Sequence, residues 1–191
     1  ERFRHPLAIG APVHRLAMAV VVAERGGLHA AATRMACAGG LSDRVRGAWS
    51  AALGVESQML AAGRVGATYG DVMAACDRAY ADAGHPGAWR EHYQGGPIAY
   101  RQREFEIVPS QRSSRWFRQR IEPGHAVAWN PSVAGGGKTE DTFLIDHEGV
   151  HCMTDTGEWP EVAGRTAILD YETNGDCAAG VPVIIHKKVC G

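Results

Sequence analysis

His147, Glu148 and His151 stand in the order His-Glu-x-x-His. On a helix, that spacing projects two imidazoles from one face onto a zinc ion while the glutamate activates a metal-bound water. The flanking sequence argues for a turn instead. "DTFLI" before the motif and "VHCMT" after it alternate like strands, and Gly149 in "DHEG" suits a tight turn. The next histidine downstream is His186, so no third ligand lies close by. His147 and His151 are therefore expected along a hairpin, and a zinc-protease reading is set aside.

Two further stretches carry chemical residue types. "AGGGKTED" (134–141) is similar to a phosphate loop, but G-x-x-x-x-G-K-T would need glycine where Ser132 stands, and a strand rather than a helix follows. A glycine-rich connection is the better reading. "EHYQGGPIAYRQREF" (91–105) gathers a histidine, two glutamines, two tyrosines, two arginines and two glutamates around Gly95 and Gly96. Glycines let a backbone approach a ligand, and Arg101, Arg103 and Glu104 are types that bind a carboxylate or orient a neighbour. The alternative is a tight turn into a solvated strand.

The elements that must position these groups follow from periodicity. "RLAMAVVVAE" (15–24), the turn "RGG" and "LHAAATRMAC" (28–37) predict a β-hairpin. Residues 41–63 have helical apolar spacing between an N-cap at Ser42 and a stop at Gly63, and residues 67–84 repeat that logic before "HPG". Strands are then expected in "PIAYRQREFEIV", "HAVAWNP", "TEDTFLID" and "VHCMT", with a final strand in "VPVIIHKKV". This order predicts an α+β domain with helices on one face of a curved antiparallel sheet.

Composition narrows the class. With 191 residues, 45% apolar and 21% charged, the chain is long enough and apolar enough for one globular core. The net charge is −1 and the arginines are scattered, so there is no basic stripe and nucleic acid is not an expected partner. No apolar run approaches the roughly 20 residues that span a bilayer, and "ERFRHPLAIG" lacks a signal-peptide core. A soluble cytoplasmic protein with no membrane partner is expected. Five widely spaced cysteines, none in a C-x-x-C pair, indicate neither a disulfide framework nor a zinc ribbon.

Taken in order, "HYQGGPIAYRQRE", "EPGHAVAWNP" and "KTEDTFLI" resemble the later blocks of the creatinase, prolidase and methionine aminopeptidase superfamily. "FRHPL", the hairpin and the "TR" of Thr33 and Arg34 resemble an earlier block. The resemblance covers roughly residues 3–160 and implies the pita-bread fold. It suggests a single domain over 1–191, with 1–160 the family-like core and 161–191 a divergent tail. Relatives carry more chain before "FRHPL", so a fragment or a short variant is expected.

Active relatives bind two metal ions through two aspartates, a histidine and two glutamates. Carried over, those positions fall near Val20 to Ala23, near Ala31, at Gly96, at Asn130 and at Glu140, so only the last carboxylate survives. The resemblance therefore implies a site without metal and without cofactor. His5, His92, Glu104 and Glu140 are the candidate catalytic residues, and Gln94, Arg103 and Asn130 the candidate substrate-binding residues. The leading expectation is a metal-independent hydrolase acting on an amide or other carbon–nitrogen bond of a small amino-acid-like or short-peptide substrate. A histidine would serve as acid/base and Arg103 as substrate clamp. The alternatives are a non-catalytic binding module and a dimetal Xaa-Pro or methionine-type aminopeptidase. Relatives also suggest a possible homodimer.

Overall fold

The computed structural model describes residues 14–108, 112–157, 159, 161–162, 165–166 and 168–171. Two strands open it, β1 (Leu16–Arg25) and β2 (Leu28–Ala38), antiparallel from Leu16 opposite Cys37 to Arg25 opposite Leu28. Gly26 and Gly27 make the two-residue turn with φ of 61° and 82°, the left-handed conformation that matches strand twist. Alternate residues of β2, Ala31, Thr33, Met35 and Cys37, are buried, whereas Val20, Val21 and Val22 of β1 are exposed.

Two helices follow where periodicity predicts them. In α1 (Asp43–Ala62), the Ser42 side chain accepts the Val45 N–H at the start, and Gly63 closes the end. In α2 (Tyr69–Asp82), Thr68 and Asp71 form a reciprocal capping box. Both bury one face around Val55, Met59, Tyr69, Val72 and Tyr80, the core that also takes Trp89 from a single 3-10 turn (Ala88–Arg90).

That core rests on a four-stranded sheet of order β3-β4-β7-β8, built from β3 (Gly95–Pro97), β4 (His125–Trp129), β7 (Asp141–Ile145) and β8 (Val150–Cys152). A short α3 (Arg115–Arg118) precedes β4, and a small hairpin of β5 (Ser132–Val133) and β6 (Gly137–Lys138) intervenes before β7. Val127, Trp129, Phe143 and Ile145 point into the helical core. By strand alternation, Ala126 and Ala128 face the other way, where Ala128 packs with Ile98 and Ala31. The short pair β9 (Glu161–Val162) and β10 (Arg165–Thr166) precedes β11 (Leu169–Tyr171), which lies parallel to β2. The result is the α+β arrangement expected, with antiparallel pairing in the sheet beneath the helices.

Three expectations compare directly. The long strand predicted in "PIAYRQREFEIV" does not form beyond Pro97. The Glu104 carboxylate accepts the Arg101 N–H at 3.1 Å, and Glu104 N–H returns to the Pro97 carbonyl, so a side chain closes turns where a ladder would run. "DHEG" does turn between β7 and β8, with Asp146 accepting the Glu148 and Gly149 N–H groups. The glycine-rich connection does precede a strand, since Gly135 and Gly136 take φ of 114° and 103° in the β5–β6 hairpin. The strand expected in "VPVIIHKKV" lies outside the described residues.

Candidate functional site

Glu140 sits just before β7 and is 6% exposed. Its Oε2 accepts a 2.6 Å hydrogen bond from the Thr33 hydroxyl of β2, and its Oε1 accepts the Asn130 amide at 3.4 Å. The Lys138 ammonium stands 3.7 Å from Oε2, within ion-pair range but beyond hydrogen-bond length. Lys138 is itself 2% exposed. Burial pushes its ammonium below the usual lysine value, and the Glu140 charge opposes that shift. Next to this pair, the Arg34 guanidinium bonds Asp141 Oδ1 and the Thr154 carbonyl, both at 2.8 Å, and the Thr154 hydroxyl donates to the same carboxylate at 2.6 Å. The "TR" of β2 and the "ED" before and at the start of β7 are thus locked together residue by residue. Between them lies an enclosed space with room for about one water, walled by Thr33, Trp49, Glu56, Lys138, Thr139 and Glu140 among others.

His92 and Gln94 come together in a different network. His92 Nδ1 donates to the Tyr93 carbonyl at 2.8 Å, which leaves Nε2 to accept the Ser132 hydroxyl at 2.8 Å and the Gln94 amide at 3.0 Å. Gln94 is 1% exposed; its Oε1 accepts the Tyr80 hydroxyl, and its amide also donates to the Trp89 carbonyl. Asn130 bridges the two networks, its N–H bonded to the Gln94 carbonyl and its side chain to Glu140.

Glu104 lies elsewhere, in a groove of about 320 Å³ lined by Tyr69, Ile98, Phe105, Trp116 and His125 among others. Phe105 and Trp116 stack at 4.3 Å and 9°, and Tyr69 meets Phe105 edge-on at 5.2 Å. His125 Nδ1 receives the Glu122 N–H at 3.3 Å and lies 3.2 Å from the Tyr69 hydroxyl, so in its neutral form the ring carries its proton on Nε2. Among the described residues, neither Glu104 Oε2 nor His125 Nε2 has a hydrogen-bond partner. The groove thus joins aromatic walls to one acceptor and one donor. Its size and mixture suit a small ligand.

Arg103 is exposed, paired with Glu106 at 2.9 Å and stacked 4.3 Å above the Tyr93 ring. His5 lies outside the described residues. Of the residues singled out from sequence, the structure brings Asn130 to Glu140 and His92 to Gln94, and it places Glu104 and Arg103 apart from both. Sequence reasoning passed over Lys138, His125 and Trp116. Only the first left a signal, as a lysine two residues before the candidate residue Glu140.

The family's metal pair can be tested against these positions. Val20 is 52% exposed on β1. Ala31 packs against Ile98 and Ala128. A Cβ at Gly96 would stand 2.9 Å from the Tyr93 hydroxyl, a phenol that burial pushes up to about 12 and so keeps uncharged at neutral pH. Asn130 offers an amide, and Glu140 already has two hydrogen-bond donors and a lysine ion-pair partner. No group of three or more His, Cys, Asp or Glu among the described residues is arranged to hold a metal ion. His151 is exposed and bonds Asp146 at 3.0 Å along the hairpin. A dinuclear centre needs several anionic oxygens around its cations, and this donor set does not fit one.

The model of metallopeptidase family M24 matches residues 14–147. No curated protein matches the chain. Among solved structures, the prolidase from Pyrococcus horikoshii superposes with a TM-score of 0.67 at 19% identity, over 81% of this chain and 45% of that one. Dipeptidase PepE from Mycobacterium ulcerans gives 0.63 at 20% identity, over 82% and 40%. The N-terminal domain of FACT complex subunit SPT16 from Eremothecium gossypii gives 0.58 at 13% identity, over 80% and 38%. The chain spans less than half the length of these proteins. The likeness is one of fold, and that fold is the pita-bread fold of the prolidases.

Proposed function

The chain belongs to metallopeptidase family M24, and from that premise we propose that it is a peptidase-like domain that binds a small amino-acid-like or short-peptide ligand in the Glu104 groove, without the family's metal pair. One observation carries this reading. The groove of about 320 Å³ places the Glu104 carboxylate and the His125 imidazole beside the stacked Phe105 and Trp116 rings. A ligand ammonium suits Glu104 Oε2, an apolar side chain suits the rings, and a carbonyl or carboxylate suits His125 Nε2–H. A domain of similar fold belongs to a protein named as a subunit of a complex rather than as a peptidase.

Calorimetric titration with free dipeptides and with their N-acetylated forms tests the proposal. Saturable binding of the free peptides, weakened at least tenfold by acetylation, is expected, with no cleavage when manganese, cobalt or zinc is added. Two equivalents of retained metal together with metal-dependent dipeptide cleavage would overturn it.

A metal-free hydrolase is the second reading, and the same groove favours it. A carboxylate and an imidazole facing one cavity are the types that exchange protons with an amide. Cleavage of a bound dipeptide in the presence of chelator, lost in Glu104→Gln, separates this reading from binding alone.

A further inference from the structure

We infer that Lys138 is the resident cation of this M24 core, an internal ammonium that neutralises Glu140 where the family fold otherwise gathers carboxylates around divalent ions. Lysine and glutamate are almost never fully buried unless paired, because removing either charge from water costs several kcal/mol. Lys138 and Glu140 are 2% and 6% exposed and stand 3.7 Å apart.

What surrounds Glu140 has the wrong polarity for a metal. The Thr33 hydroxyl and the Asn130 amide both present hydrogens to the carboxylate, and the ammonium adds a full positive charge. A divalent cation binds oxygen lone pairs and is repelled by a neighbouring ammonium, while the Thr33 hydroxyl and the Asn130 NH2 turn hydrogens rather than lone pairs toward the carboxylate. Glu56 and Asp141 line the same small cavity. Asp141 is committed to Arg34 and Thr154. The cavity has room for about one water, far less than two hydrated ions need.

The fold enforces the burial of Lys138. Its neighbour Gly137 lies so close to α1 that an added Cβ would fall 2.0 Å from the Ala48 carbonyl oxygen. This approach presses β6 onto the helix, and Trp49 and Glu56 of α1 line the same small cavity as the lysine. Among the described residues the amino group has no hydrogen-bonding partner, and its only charge partner is Glu140. Its effect there is charge compensation.

The Glu104 groove plays no part in this pair, so stability and metal content test the pair separately from ligand binding. The experiment measures the thermal midpoint and bound metal of the full chain, Lys138→Ala, Lys138→Met, Glu140→Gln and the Lys138→Met/Glu140→Gln double variant. The unaltered chain is expected to keep its midpoint when manganese, cobalt or zinc chloride or a chelator is added. Each single substitution strands a buried charge and lowers the midpoint by roughly 6–20 °C, and the double variant recovers most of that loss. Propylammonium chloride should raise the midpoint of Lys138→Ala above a sodium chloride control of equal ionic strength, and leave the unaltered chain and the double variant unmoved. Where Lys138→Ala does not fold, the double variant against the Lys138→Met and Glu140→Gln single variants still decides. Losses that simply add in the double variant overturn the inference, as does a divalent ion in the unaltered chain whose stabilisation disappears in Glu140→Gln.

Discussion

Thr33 is joined to Glu140 twice, by its hydroxyl to the carboxylate at 2.6 Å and by its backbone N–H to the Glu140 carbonyl at 2.9 Å. The pair ties the hairpin sheet to the helix-covered sheet at Glu140. Thr33→Val keeps the shape and removes the hydroxyl, leaving a buried charge short of a donor. It should cost about 1.5–3 kcal/mol in urea unfolding, with Thr33→Ser close to the unaltered protein. An unchanged midpoint for Thr33→Val would show that the hydrogen bond adds no net stability.

Arg34 makes the parallel link one residue on, to Asp141 and the Thr154 carbonyl. Its side chain is 16% exposed and that of Asp141 is 6% exposed, so solvent screens the pair only weakly. Arg34→Ala should destabilise by about 3 kcal/mol. Arg34→Lys should recover only part of the loss, because an ammonium cannot reproduce the planar fork. Denaturant titration of the two variants measures the difference.

Gly137 permits contact between β6 and α1 at a distance no side chain tolerates. Gly137→Ala should therefore lose at least about 3 kcal/mol, the upper range of overpacking, because the clash is with backbone rather than with a movable side-chain end. Gly47→Ala, where an added Cβ meets nothing within 4 Å, is the control and should not destabilise.

In the groove, Glu104→Gln removes the charge but keeps the size. Its affinity for free dipeptides should fall about tenfold, near 1.4 kcal/mol, while acetylated peptides are unaffected. Trp116→Ala should weaken both classes. Calorimetry that finds Glu104→Gln and the unaltered chain equal would remove the ammonium from the recognition scheme.

Asp71 has its pKa lowered from the ordinary 3.8, first by the Thr68 backbone N–H and then by the Thr68 hydroxyl. A depressed carboxyl contributes stability that is present above 3.8 and is lost as pH falls through the lower folded-state value. Asp71 is largely exposed, so its share is small. Acid titration of unfolding should show a shallower loss below that pH in Asp71→Asn. Thr68→Ala should cost about 1 kcal/mol at neutral pH through the missing cap.

The helices and the opening hairpin were legible because their signals are local. Ser42 and Gly63 bound α1, and Gly26–Gly27 fix the hairpin turn. The turn reading of "DHEGVH" likewise rested on adjacent residues, and Asp146 closes that turn. The stretch 98–108 misled because its alternation looks like a strand, while Glu104 can satisfy the Arg101 N–H from its side chain and end the ladder.

By itself the sequence determined the class of the fold and the order of its helices and main strands, since these depend on which residue stands where along the chain. Only the tertiary structure decided how the remaining polar groups are grouped. His92 satisfies both ring nitrogens within its own network, Glu104 faces an aromatic groove, and Lys138 meets Glu140. The physical reason is burial. Charge and hydrogen-bonding capacity are fixed by residue type, but which partners must satisfy them depends on what the packed sheets and helices shut away from water.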